Sequence, residues 1–251
     1  MAGVEERVAL VTGAGRGIGR ATADLLASRG ARVMCVARSK AELEEIGLDY
    51  TIADLGTAEG CASAITDTEK RLGPVEILVC NHGIGSAHEK VVWEQDPDDW
   101  NESIRVNLDG PFHLSRLVLS GMVERQYGRL VFTSSTAALV AEDAGSAYNS
   151  SKSGLLGLMR SVALDGGPYG ITSNAVLPGW VRTEMAERSA RAEAKARDIT
   201  PDQVWDERAA LYPAGRVATP KEVAEMIAFL AAEESSGVNG ESIRVALGGV
   251  F

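Results

Sequence analysis

The stretch RVALVTGAGRGIG, residues 7–19, decides the fold. A short run of aliphatic residues gives way to Gly13, Gly15, Gly17 and Gly19, and the glycines lead directly into a segment of helical period. Glycine permits a tight strand-to-helix turn. It also lets a pyrophosphate approach the amide groups at a helix N-terminus, where the macrodipole favours an anion. The spacing is Gly13-x3-Gly17-x-Gly19 rather than GxGxxG, so the position between a first strand and a first helix carries the reading. Gly13, Arg16, Gly17, Ile18 and Gly19 are therefore candidates for holding a phosphate-bearing ligand.

Working outward, further β-branched runs recur: ARVMCVA (31–37), YTIA (50–53), VEILVC (75–80), RLVFTS (129–134), ITSNAVL (171–177) and SIRVAL (242–247). Segments of helical period separate them, at 17–29, 58–72, 98–123, 149–165 and 220–232. Near-continuous apolar strands alternating with helices predict a parallel sheet covered on both faces, a doubly wound α/β fold in one domain over residues 1–251. The charge-rich segment 184–212 departs from this alternation. It follows the sixth strand and is expected to form a lid over the carboxyl edge of the sheet, the alternative being a solvated pair of surface helices.

The 251 residues, 45% of them hydrophobic, suffice for a large core. With 35 acidic against 25 basic residues the net charge is −10, which repels phosphate backbones and anionic membranes, so nucleic acid is not an expected partner. No stretch approaches the roughly 18–20 consecutive apolar residues of a membrane span. Cys35, Cys61 and Cys80 show no CxxC spacing, and His82, His88 and His113 no metal-ligand spacing; no metal site is expected. Unpaired cysteines in apolar runs and the absence of a recognisable signal peptide lead to the expectation of a cytoplasmic protein.

The segment AYNSSKSG (147–154) places a phenol and an ammonium four residues apart, on one face of a helix. A phenol titrates near 10 and is a poor base at neutrality. A cation within ~4–6 Å lowers that value by about 1–3 pKa units, which would fit Tyr148 beside Lys152 for exchanging a proton with an alcohol.

TGxxxGxG near the N-terminus followed by YxxxK about 135 residues later resembles the short-chain dehydrogenase/reductase family, over essentially the whole chain. The resemblance implies a catalytic group of Asn107 (in RVNLDG), Ser135 (after RLVFTS), Tyr148 and Lys152. It also implies cofactor contacts from Asp54 and Leu55 after the third strand, Asn81 and Gly83 after the fourth, and Pro178, Val181 and Thr183 in PGWVRT (178–183). Tyr148 and Lys152 join that set, Lys152 binding ribose hydroxyls, and Asn107 is expected to hold a water that links Lys152 to solvent. A homotetramer follows from the same resemblance, with slight support from the apolar tail RVALGGVF (244–251). Two positions depart from the family pattern: His82 stands where a small residue is usual, and the tail lacks an acidic residue before its final glycines.

The strand that ends Ala37-Arg38 presents no carboxylate to repel a 2′-phosphate, and Arg16 lies in the glycine loop, so NADP is expected in preference to NAD. The expected reaction is hydride transfer between a secondary alcohol or ketone and the nicotinamide. The alternatives are 3-oxoacyl carrier-protein reduction, a lyase-type relative, disfavoured by Lys152 and the intact glycine loop, and a non-catalytic dinucleotide-binding regulator. SAHEKVVWE (86–94), AALVAED (137–143), Trp180, Trp205 and Tyr212 are expected to wall the substrate pocket. Glu142 and Asp143 there favour a neutral substrate over an anionic one. Substituting Ala37→Asp together with Arg38→Leu should invert the NADP preference in steady-state kinetics, and an undiminished preference would contradict the assignment.

Overall fold

The computed structural model describes residues 3–85 and 90–249. From the N-terminus, β1 (Val8–Thr12) leads into α1 (Gly17–Ser28), followed by β2 (Arg32–Ala37), α2 (Lys40–Glu44), β3 (Asp49–Ile52) and α3 (Ala58–Arg71). Next come β4 (Ile77–Cys80), α4 (Pro97–Ile104), α5 (Gly110–Arg125), β5 (Gly128–Thr133) and α6 (Ser146–Gly166). The chain ends through β6 (Ile171–Pro178), α7 (Glu184–Arg197), α8 (Pro201–Ala210), α9 (Pro220–Ala231) and β7 (Ser242–Val245).

The seven strands form one parallel sheet in the order β3-β2-β1-β4-β5-β6-β7. Chain order reverses between β1 and β4, which opens a crevice at their carboxyl ends. Successive strand residues point to opposite faces. Leu10, Leu78 and Phe132 therefore pack under α3, α5 and α6, whereas Ala9, Val11, Ile77, Val79 and Val131 pack against α1 and α9. Burial on both faces explains why the strands read as unbroken apolar runs, β1, β5 and β6 being buried at every position.

The expected fold is the observed one, and the differences are local. The helix predicted over 98–123 is two helices joined by a π-helical turn at Arg105–Asp109. The short α2 has no counterpart in the predicted elements; it starts on Ser39, whose hydroxyl accepts the Glu42 amide. Segment 184–212 is a helix pair with an apolar core of its own, in which Ala186, Ala190 and Ala194 meet Val204 and Trp205. Thr183 caps α7, and Thr200 forms a capping box on α8. The buried Arg208 locks the pair: its guanidinium lies 3.6 Å from the Trp180 ring centroid and donates to the Ala186 carbonyl, Ser189 and Glu193. Among the described residues no helix is long and apolar enough to cross a membrane.

Phe132 is fully buried at the centre of the sheet. Phe132→Ala should cost about 3–5 kcal/mol of stability in urea denaturation, and a cost below about 1 kcal/mol would contradict the assigned core.

Candidate active site

The glycine loop is shaped by approaches that only glycine allows. Gly13 and Gly17 have φ of +63° and +57°. A Cβ at Gly19 would stand 2.1 Å from the Gly13 carbonyl oxygen and 2.5 Å from Asn81 Nδ2. Asn81, just past β4, ties the two strand ends together: its backbone amide donates to Thr12 Oγ1 at 2.9 Å and its Nδ2 to the Thr12 carbonyl at 3.2 Å. Helix α1 then starts at Gly17 with no side chain capping its first turn. Its amides point into the crevice without that partner, the arrangement that receives a pyrophosphate. Residues 13–19 thus fit a dinucleotide.

Around this loop lie the other expected contacts. Val181 pairs with Ala218 in an isolated parallel bridge, and the Thr183 methyl stands 3.3 Å from where a Cβ on Gly17 would be. Pro178 closes β6. Leu55 is buried in the core, and Asp54 accepts the Gly56 amide while facing Arg105 at 3.6 Å. Arg38 is exposed and has no ion-pair partner among the described residues. Two carboxylates bear on the expected phosphate contacts. Arg16 Nη1 lies 2.9 Å from both Glu42 and Glu184. A Cβ on Gly15 would lie 2.5 Å from Glu42 Oε2. The cause is α2, whose capping turn folds Glu42 back over the glycine loop.

The four residues of the expected catalytic group come together at the carboxyl ends of β4 and β5. Lys152 is buried, and its Nζ donates to the Thr133 carbonyl at 3.0 Å, lying 5.6 Å from the Tyr148 ring centroid. The Ser135 hydroxyl lies beside that of Tyr148 and favours its ionised form, and Ser135 Oγ accepts the Ala137 amide at 3.1 Å. Asn107 sits in the π-helical turn, where Oδ1 accepts the Ile84 amide at 2.8 Å and Nδ2 donates to the Ile84 carbonyl and to Ser151 Oγ. Gly83 is the hub: a Cβ there would lie 3.0 Å from Asn107 Oδ1 and 3.4 Å from Lys152 Nζ.

The electrostatics differ from the expectation that Lys152 depresses Tyr148. Burial pushes the phenol up to about 12, the negative field of Glu142 adds to the rise, and the Ser135 hydroxyl offsets only part of it. Burial also lowers Lys152 to about 8. Desolvation disfavours the charged form of each group, and the ammonium is turned to a backbone carbonyl instead of the phenolic oxygen. In the cofactor-free protein at neutral pH, Tyr148 therefore holds its proton.

Comparison with known proteins adds to this geometry. A family model described as enoyl-(acyl carrier protein) reductase matches residues 13–249. The 3-oxoacyl-[acyl-carrier-protein] reductase of Vibrio cholerae is 34% identical, with 96% of each chain covered. The acetoacetyl-CoA reductase of Shinella zoogloeoides is 35% identical, with 98% of each covered. The chain belongs to the short-chain dehydrogenase/reductase family. Among solved structures, a variant of the actinorhodin polyketide ketoreductase crystallised with NADPH superposes with a TM-score of 0.89 at 32% identity, covering 98% of each chain.

Against that family background, His82 is accounted for by packing. His82 Nδ1 lies 2.8 Å from Thr12 Oγ1, the hydroxyl that also meets the Val79 carbonyl and the Asn81 and His82 amides. Burial first, then the charge of Lys152, holds the imidazole neutral, near 3. A Cβ on Gly110 would lie 2.8 Å from Nε2, so the glycine that opens α5 makes room for the ring. Of the expected pocket walls, Trp205 is buried in the core of the helix pair and Tyr212 is buried with its hydroxyl 2.6 Å from the Trp180 amide nitrogen. Residues 86–89, including His88, lie outside the described residues, as do Val250 and Phe251 of the tail. Among the described residues no group of three or more His, Cys, Asp or Glu is placed to hold a metal.

Sequence reasoning missed Ser151, the Ile84 and Thr133 carbonyls, and Glu42. Only Glu42 carried a signal, the Ser39-x-x-Glu42 capping pattern. In the cofactor-free protein, NMR of the lysine side chains should show Lys152 titrating near 8. A midpoint at the ordinary lysine value of about 10.4 would contradict its buried placement.

Proposed function

We propose that this oxidoreductase is NADP(H)-dependent and interconverts a secondary alcohol and a ketone, with Tyr148 as the proton-exchanging group. The observation that carries the reading is the pairing of the Ser135 and Tyr148 hydroxyls beside the buried Lys152 ammonium. The bound nicotinamide would supply or accept the hydride at the carbinol carbon. Gly13, Gly17, Ile18 and Gly19 would hold its pyrophosphate, Arg16 and Arg38 a 2′-phosphate, Asp54 and Leu55 the adenine side, and Asn81, Gly83, Pro178, Val181, Thr183 and Lys152 the nicotinamide half.

Ser135 orients the substrate oxygen. Tyr148, protonated at neutral pH, gives its proton to that oxygen as a carbonyl is reduced and recovers one when an alcohol is oxidised. The Lys152 ammonium, fixed on the Thr133 carbonyl, favours the phenolate that reduction leaves behind. Asn107 holds the turn beside Lys152 and, with a water, would carry protons to solvent. Segment 184–212 acts as the lid, hinged where Thr183 meets the glycine loop. Exposed Trp100, Phe112 and Leu164 on α4, α5 and α6 support a homotetramer.

For the substrate we favour a neutral ketone, because the negative field of Glu142 reaches Tyr148. A second reading, reduction of a 3-oxoacyl thioester, is favoured by the names of the two relatives. A panel of cyclic and aromatic ketones and 3-oxoacyl thioesters, with NADPH and NADH, separates these readings. Preference for thioesters would overturn the first, and cofactor binding without turnover on any carbonyl would overturn both. Tyr148→Phe should lower kcat by about 10²–10⁴-fold with cofactor affinity largely retained; undiminished turnover would refute its role.

A further inference from the structure

Of the two arginines assigned to a 2′-phosphate, Arg38 is exposed without an ion-pair partner among the described residues, whereas Arg16 is engaged twice. Its Nη1 lies 2.9 Å from Glu42 Oε1 and 2.9 Å from Glu184 Oε2. Glu184 opens α7 and is paired a second time, with Arg188. Glu42 has only Arg16 as an ion-pair partner among the described residues. Its carboxylate is held by geometry as well as charge. The Ser39 hydroxyl accepts the Glu42 amide, and Gly15 lacks the Cβ that would stand 2.5 Å from Oε2. The glycine loop is thus cut away to seat this carboxylate, between the loop and the end of β2 where dinucleotide folds receive the adenosine ribose.

We propose that Glu42 is a specificity-determining residue that competes with the 2′-phosphate of the cofactor for the Arg16 guanidinium. The proposal rests on the NADP(H) reading above and deepens it. A guanidinium already neutralised by a carboxylate attracts a phosphate less, and the carboxylate left beside an arriving phosphate repels it. A 2′-phosphate that draws on Arg16 meets the Glu42 carboxylate as a rival for it, whereas NADH, which has a hydroxyl at that position, leaves the pair intact. Glu42 therefore narrows the margin by which the two arginines favour the phosphorylated cofactor.

The test is equilibrium binding of NADPH and NADH, followed by nicotinamide fluorescence, to the wild type, Glu42→Gln, Arg16→Ala and the double variant. Glu42→Gln should tighten NADPH about tenfold and change NADH less than about twofold, the gain vanishing in the Arg16→Ala background. Unchanged NADPH affinity, or weaker binding because Glu42 orients Arg16, would overturn the proposal. So would a loss of NADH affinity, which would make Glu42 a partner of the ribose hydroxyls, or a full gain persisting without Arg16. The cofactor reading is judged separately, by the wild type alone. If the wild type prefers NADH but Glu42→Gln still gains NADPH affinity through Arg16, that reading fails and the competition stands.

Discussion

A lysine ammonium is brought into the protein interior at the end of β5 and held there by one backbone carbonyl, that of Thr133. Everything in the crevice is arranged around this charge. Isolated in an apolar interior it would lose its proton. The Thr133 carbonyl that accepts from it is open to a side chain because β5 ends there. A parallel sheet presents its last carbonyls along one edge, and the reversal of strand order between β1 and β4 leaves room above them for a ligand.

Two helices are modified to serve that edge. The π-helical turn between α4 and α5 holds the Asn107 side chain against Ile84 and Ser151, an irregularity typical of functional positions. Helix α1 is left uncapped, while α3, α7 and α9 are each capped by a threonine. The α5 and α6 starts also lack a capping side chain, but α1 is the one that begins on the glycine loop. The helix pair α7–α8 is joined to the glycine loop through the Arg16–Glu184 ion pair.

Much of this was legible in the sequence. Strand runs, the glycine turn and the spacing from Tyr148 to Lys152 are local patterns, fixed by pleat, turn and helix geometry. Asn107, Ser135 and Asn81 were legible only through the family resemblance, since nothing in their own neighbourhood marks them. The electrostatics were not legible. Proximity of Lys152 in sequence argued for a depressed phenol, but desolvation dominates, and burial is a property of the assembled fold. The burial of Trp205 was not legible for a similar reason, because whether its ring turns into a helix partner depends on how two helices dock. Glu42 went unread because a five-residue helix leaves too short an apolar pattern to detect.

The central claim is that Tyr148, buried and protonated beside Lys152, is the group that trades a proton with the substrate. The most direct test is the pH dependence of kcat/KM for alcohol oxidation, followed from about pH 6 to 9, where an ordinary phenol is still mostly protonated. The account predicts a rise with a limiting logarithmic slope of about one, as the phenol loses its proton in the cofactor-bound enzyme. A pH-independent rate would contradict it.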